Sequence, residues 1–275
     1  LYAPMKRPLR FIAFAAGFIL VLYFLGPVEP KPEIDPTLPS VESDMEMLEA
    51  EIQQSENSTP NLKSDNHARI VWHNAAVRQK TRFALVYLHG LRGSQADGFP
   101  IHLDFARRYG CNLYLSRLAN HCVDSEDALQ ELTLGRLLES AKRAVSIGKQ
   151  IGDQVIIMAT STGAALALII AAHHHDLAGL ILYSPNIDFY DKGSEFLKLP
   201  WGLYLARLLQ QSYYVEHDDP PEVRQYWQSK YRLEALVAVK SLLSHTMTNE
   251  TFLSIHQPVF VGYYFKNEDE QDKRA

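Results

Sequence analysis

The most constraining feature of this sequence is an apolar, β-branched run that passes directly into a run of small residues. Residues 155–160 predict a buried strand and residues 162–174 predict a helix, with Ser161 at the junction. A side chain on so tight a turn has a strained backbone and projects clear of both elements. Ala159 and Gly163, two positions on either side, are small enough for strand and helix to approach. Ser161 is therefore a candidate nucleophile.

A second loop supports this interpretation. Residues 83–88 predict another apolar strand, which ends in His89, Gly90 and Leu91. A serine that attacks a carbonyl carbon needs backbone N–H groups to stabilise the oxyanion, and losing one such donor costs about 3 kcal/mol. At a strand-to-helix elbow, one donor follows the nucleophile and the other lies in the loop after the earlier strand. We therefore predict the N–H groups of Leu91 and Thr162 as the oxyanion hole.

Five short motifs occur in the order found in a known family. With them the chain resembles the α/β-hydrolase superfamily, in particular its carboxylesterase and monoacylglycerol-lipase-like members, over about residues 68–272. The motifs are Leu88-His89-Gly90-Leu91, Arg117-Leu118-Ala119-Asn120-His121, the Ser161 elbow, Leu182-Tyr183-Ser184-Pro185 and Pro258-Val259-Phe260-Val261-Gly262-Tyr263. Three positions depart from the family pattern, since Ala159 replaces a glycine, and Asn120 and Cys122 replace the glycines that flank His121.

The resemblance implies a serine hydrolase that cleaves carboxylic esters through an acyl-enzyme intermediate and uses no cofactor. Family triads run serine, acid, histidine. Asp272 fits the acid best, and Asp269 and Asp188 are the alternatives. No histidine follows Asp272, so we expect the sequence to be truncated before the catalytic histidine. A thioesterase, an amidase, a peptidase and a non-catalytic envelope-anchored binding protein are the alternative functions on the same fold.

The N-terminus carries an export signal. Lys6, Arg7 and Arg10 precede an apolar run over residues 11–25, which is typical of a signal sequence. We expect residues 1–28 to be an uncleaved signal anchor or a signal peptide, with the rest of the chain on the extracytoplasmic side of the membrane. Residues 29–66, rich in proline and acidic side chains, predict a linker.

The remaining residues, 67–275, alternate strand-like runs with helix-length segments and predict one α/β domain with a mostly parallel sheet. The interval 189–257 breaks this alternation and predicts a helical cap. The resemblance implies that such an insertion covers the site and contributes an acyl pocket, which favours a small-molecule ester with an apolar portion. A strand and helix after residue 275 are expected to be missing. The predicted strands are 69–73, 83–88, 111–116, 155–160, 179–183 and 258–265, and the other predicted helices are 97–109 and 132–151.

Composition argues against other partners. A net charge of −5 leaves no basic surface of the kind that binds nucleic acid, and no nucleotide-binding glycine motif occurs. The three consecutive histidines 173–175 point in different directions on a helix, so no metal site is expected there. Cys111 and Cys122 lie too far apart on a predicted strand and its following loop for a bridge, which predicts two free thiols.

Overall fold

A central six-stranded sheet organises the fold in this computed structural model, which describes residues 7–31, 33–268 and 270–271. Its strands are β1 (Arg69–Val71), β2 (Thr81–Leu88), β3 (Asn112–Leu115), β4 (Gly152–Thr160), β5 (Gly179–Tyr183) and β8 (Val259–Gly262), and a separate pair is formed by β6 (Tyr214–Glu216) and β7 (Lys230–Arg232). In the central sheet the spatial order is β1-β3-β2-β4-β5-β8, with β1 antiparallel to β3 and all other neighbours parallel. All six predicted strands are confirmed, and so is the mostly parallel α/β fold.

Helices flank this sheet, and α3, α4 and α5 pack directly on its strands. The helices are α1 (Arg7–Phe24), α2 (Met45–Asn57), α3 (Ile101–Tyr109), α4 (Leu134–Ile151), α5 (Thr162–His173), α6 (Gly202–Gln210), α7 (Pro221–Arg224), α8 (Glu234–Thr246) and α9 (Asn249–Leu253). The predicted helix 97–109 begins later than expected because residues 95–98 form a 3₁₀ turn. Helix α5 is apolar on all sides because it packs between the sheet, α4 and α8.

The segment predicted as a linker packs against the domain instead. Leu48 and Ile52 of α2 are buried in the main core. Upstream of α2, the Lys142 ammonium donates to the carbonyl oxygens of Asp35 and Thr37, both at 2.9 Å. These contacts join residues 33–57 to the domain, so this part of the segment predicted as a linker packs on it as a strap.

The apolar N-terminal run forms helix α1, as predicted. Its large side chains, from Phe11 to Phe24, are exposed on all sides of the helix. Within the described ranges, no helix is both long enough and apolar enough to cross a bilayer. The expectation of a spanning anchor is therefore not supported by the described helix.

Residues 189–233, called the cap below, lie over the carboxyl ends of the parallel strands. The cap contains α6, α7 and the antiparallel hairpin of β6 and β7, which the sequence pattern did not reveal. Helices α8 and α9 pack on α5, and Val239 and Leu242 of α8 are fully buried in the main core. The end of the predicted cap, residues 234–257, therefore belongs to the helical layer of the core.

The two cysteines confirm the prediction of free thiols. Cys111 and Cys122 are both buried and unbridged. Burial raises the pKa of the Cys122 thiol to about 12, which keeps it protonated and unreactive near neutral pH.

Candidate active site

Ser161 occupies a strained turn between β4 and α5. Its backbone has φ 52° and ψ −117°, a conformation that side-chain-bearing residues rarely adopt. The turn is held from β5, because the Ser161 N–H donates to Tyr183 O at 3.0 Å and the Asn186 N–H donates to Ser161 O at 3.1 Å. Among the described residues the Ser161 hydroxyl has no hydrogen-bond partner, and it faces an open cleft.

Small residues make this turn possible, as the sequence predicts. A Cβ on Gly163 would lie 2.3 Å from Leu88 O and 2.5 Å from His89 O, so only glycine lets α5 approach the end of β2 this closely. Ala159, where the family pattern has glycine, is fully buried and pairs with Leu88 in the sheet. The core therefore accommodates the additional methyl group.

The loop after β2 lies directly against the elbow. A Cβ on Gly90 would lie 3.2 Å from Ser161 Cβ, and the next residue, Leu91, lines the same cleft as Ser161 and Thr162. Among the described residues, the backbone N–H groups of Leu91 and Thr162 donate to no other group. Both N–H groups are therefore unbonded at the place where the sequence predicts an oxyanion hole, and their role stays a prediction.

Two buried histidines shape this loop from below. His89 Nδ1 bonds Gly90 O at 2.9 Å, and His89 Nε2 accepts the Leu118 N–H at 3.0 Å, which assigns the neutral tautomer with hydrogen on Nδ1. The His89 ring packs edge-to-face on His121 at 4.9 Å between centroids. Burial lowers the pKa of both rings, for His121 to about 4, so both are neutral supports.

Asp97 is an acidic group in the wall of the cleft. Its Oδ2 accepts the Gly90 N–H at 2.8 Å. Its Oδ1 is buried and has no hydrogen-bond partner among the described residues. The nearby Trp227 side chain acts to lower the pKa of the Asp97 carboxyl, but only weakly. Burial raises the pKa of Asp97 to about 7 despite the opposing N–H groups of Gly90 and Ser94 and the nearby Arg92. Sequence reasoning did not identify this residue.

The cleft above Ser161 has a volume of about 770 Å³ and is closed on one side by the cap. Phe189, Trp227, Tyr231 and Leu236 contribute its apolar wall. His217, in the loop after β6, is the one histidine of the described chain that lines this cleft, and its ring stacks on Tyr231 at 6.0 Å. Sequence reasoning also missed His217, since an isolated histidine in a loop carries no pattern.

The structure separates the candidates for the triad acid. Asp272 and Asp269 lie outside the described residues, so their positions remain predictions. Asp188 does not line the cleft, and its Oδ1 accepts a hydrogen bond from the buried Lys240 ammonium at 2.6 Å. That bond lowers the pKa of Asp188 to about 2. Asp188 therefore tethers the start of the cap to α8.

Comparison with family models and with the sequences of characterised proteins finds no match. Solved structures are similar in fold. One is a lipolytic enzyme from a study of the metagenome-derived LipS and LipT, with 13% identity, a TM-score of 0.56, and coverage of 73% of this chain and 76% of that one. Another is Est1E from Butyrivibrio proteoclasticus bound to ferulic acid, with 15% identity, a TM-score of 0.46, and coverage of 71% and 73%. MenH from S. aureus has 17% identity, a TM-score of 0.45, and coverage of 71% and 78%.

The sheet order, the elbow and the first of these likenesses together define the class. The chain has the α/β-hydrolase fold, as the resemblance predicted, with Ser161 at the sharp turn between β4 and α5.

Proposed function

We propose that the protein is a serine hydrolase that cleaves carboxylic esters through an acyl-enzyme intermediate. The observation that carries this proposal is the strained elbow, which presents the Ser161 hydroxyl beside two unpaired backbone N–H groups. Ser161 would attack the acyl carbon, and the N–H groups of Leu91 and Thr162 would stabilise the resulting oxyanion. The apolar wall of the cleft favours an ester with an apolar acyl or alkyl portion. The solved neighbour from the study of lipolytic enzymes is consistent with this chemistry.

The test is labelling with a fluorophosphonate probe together with hydrolysis of p-nitrophenyl esters of increasing acyl length. Ser161→Ala should abolish both labelling and hydrolysis. Ser184→Ala is the matched control, because Ser184 lines the same cleft and also has a positive φ of 44°, and it should retain both. Undiminished labelling of Ser161→Ala would refute the assignment. Faster hydrolysis of thioesters or anilides than of esters would select one of the alternative activities on the same fold.

The reaction also needs a general base that reaches the serine hydroxyl and an acid that orients this base. We propose Asp272 as the acid, paired with a histidine that follows it in the family order. His217 is the alternative base within the described chain, because it lines the cleft. Comparison of Asp272→Asn and His217→Ala decides between them. Loss of activity only in Asp272→Asn supports the family order, and loss only in His217→Ala assigns the base to the cap.

We also propose that residues 7–28 attach the protein to a membrane and that the catalytic domain is extracytoplasmic. The exposed apolar side chains of α1 and the basic residues before them support this location. Fractionation should place the protein in the membrane pellet, and protease should reach the domain only from the outside. Release of a soluble protein that begins near Pro27 would show instead that the segment is a cleaved signal peptide.

A further inference from the structure

The oxyanion loop is held by the cap as well as by the core. Arg92, directly after Leu91, has a positive φ of 61° and forms four polar contacts with two cap residues. Its carbonyl oxygen accepts the Gln228 N–H at 2.6 Å. Its guanidinium donates to both carboxylate oxygens of Asp219, at 2.7 and 3.2 Å, and to Gln228 O at 3.1 Å.

This connection between Arg92 and the cap is mostly enclosed. The side chains of Arg92 and Asp219 are only 19% and 16% exposed. The Ser229 hydroxyl donates to Asp219 Oδ2 at 2.8 Å, and this bond and the Arg92 guanidinium hold the pKa of Asp219 at about 2. Asp219 is therefore charged throughout the neutral range, and the planar guanidinium matches its two oxygens.

The core fixes the other end of the same loop. Asp97 Oδ2 accepts the Gly90 N–H at 2.8 Å, and the Gly93 N–H donates to Gly90 O at 3.1 Å. Leu91 thus lies between a core anchor at Gly90 and a cap anchor at Arg92. Since the Leu91 N–H is itself unbonded, its direction is set by these two neighbours.

We propose that the cap positions the oxyanion loop through Arg92, which makes Asp219 and Gln228 positioning residues for the reaction at Ser161. This role rests on the proposed function. It couples the cap to catalysis, because the cap that covers the cleft also fixes the position of Leu91, one of the two oxyanion donors. A misplaced donor lowers the rate of acyl transfer more than it lowers substrate affinity, since the oxyanion forms only in the transition state.

The experiment measures kcat and KM for a p-nitrophenyl ester in the catalytically active protein. Asp219→Asn should lower kcat about tenfold or more and leave KM within about twofold. Combining it with Arg92→Met should add little to the loss, because both changes break one connection. The matched control is Glu234→Gln at the start of α8. It breaks the ion pairs of this carboxylate with Arg207 and Arg232 of the cap, both at 2.8 Å and mostly enclosed, and should leave both constants unchanged.

Equal kinetics of wild type and Asp219→Asn would overturn the proposal, as would an equal loss of kcat in Glu234→Gln. If Asp219→Asn melts below the assay temperature, Arg92→Lys decides, because lysine keeps the charge but not the two-point contact and should still lower kcat. Arg92→Lys with wild-type kcat would then refute the proposal. Failure of the proposed function is distinguished by Ser161→Ala, since activity that survives this change refutes the nucleophile and says nothing about the cap.

Discussion

Replacement of Asp97 by asparagine should change how the stability of the protein depends on pH. Burial raises the pKa of Asp97 from 3.8 to about 7 in the native state. Between these two values the native carboxyl keeps a proton that the unfolded chain has lost. The stability contributed by this proton is fully present below about pH 4 and is lost as the pH rises through 7. Each pKa unit corresponds to about 1.4 kcal/mol, so the loss between pH 5 and pH 8 is about 3 kcal/mol.

Asparagine keeps an oxygen that can accept the Gly90 N–H but cannot titrate. Urea unfolding followed by tryptophan fluorescence at pH 5, 6, 7 and 8 should therefore show that Asp97→Asn gains about 3 kcal/mol relative to wild type across this range. The measured quantity is the difference in unfolding free energy between variant and wild type. His121 has its pKa lowered to about 4, so its own contribution to stability rises with pH in both proteins and cancels in this difference. Asp188→Asn is the control. Its pKa of about 2 leaves it ionised in both states above pH 5, so its difference curve should be flat. A flat curve for Asp97→Asn would refute the reasoning.

Two substitutions and one labelling experiment test the packing of the domain. Gly163→Ala should cost more than about 3 kcal/mol in urea unfolding, because its Cβ would meet Leu88 O at 2.3 Å; near-wild-type stability would mean that the turn can open. Glu56→Ala should cost about 3 kcal/mol by the same measurement, because it leaves the Arg117 guanidinium, 12% exposed, without its carboxylate; a loss under about 0.5 kcal/mol would show that water replaces the pair. Both cysteine thiols should fail to react with Ellman's reagent in the native protein and react fully in urea, and rapid native reaction would contradict their burial.

The sheet and the elbow could be predicted because each depends on a local pattern. β-branched runs mark strands that are buried on both faces, and only small residues fit around Ser161. The strap over residues 33–57 could not be predicted in this way. Before α2, part of its contact with α4 is made by main-chain carbonyl oxygens that accept hydrogen bonds, such as that of Thr37 from Lys142, and a carbonyl oxygen has no sequence signature. Proline spacing and acidic composition therefore indicated only a linker.

The site itself shows the same division between local and distant determinants. Ser161 can be predicted from its neighbours in sequence, whereas Asp97 and His217 reach the cleft through a 3₁₀ turn and a cap hairpin that no periodicity reveals.

The parallel arrangement of the sheet explains why so strained a site is stable. Strands β2 and β4 are adjacent and parallel, so their carboxyl ends place the loop of Leu91 beside the turn of Ser161, although 69 residues separate the two in sequence. Ser161 and Arg92 both have positive φ values, and each backbone is fixed by hydrogen bonds from a different neighbour. β5 and the loop after it hold Ser161, and the cap holds Arg92. Because the two strained residues have separate supports, loosening the cap should disturb the oxyanion loop and leave the nucleophile in place.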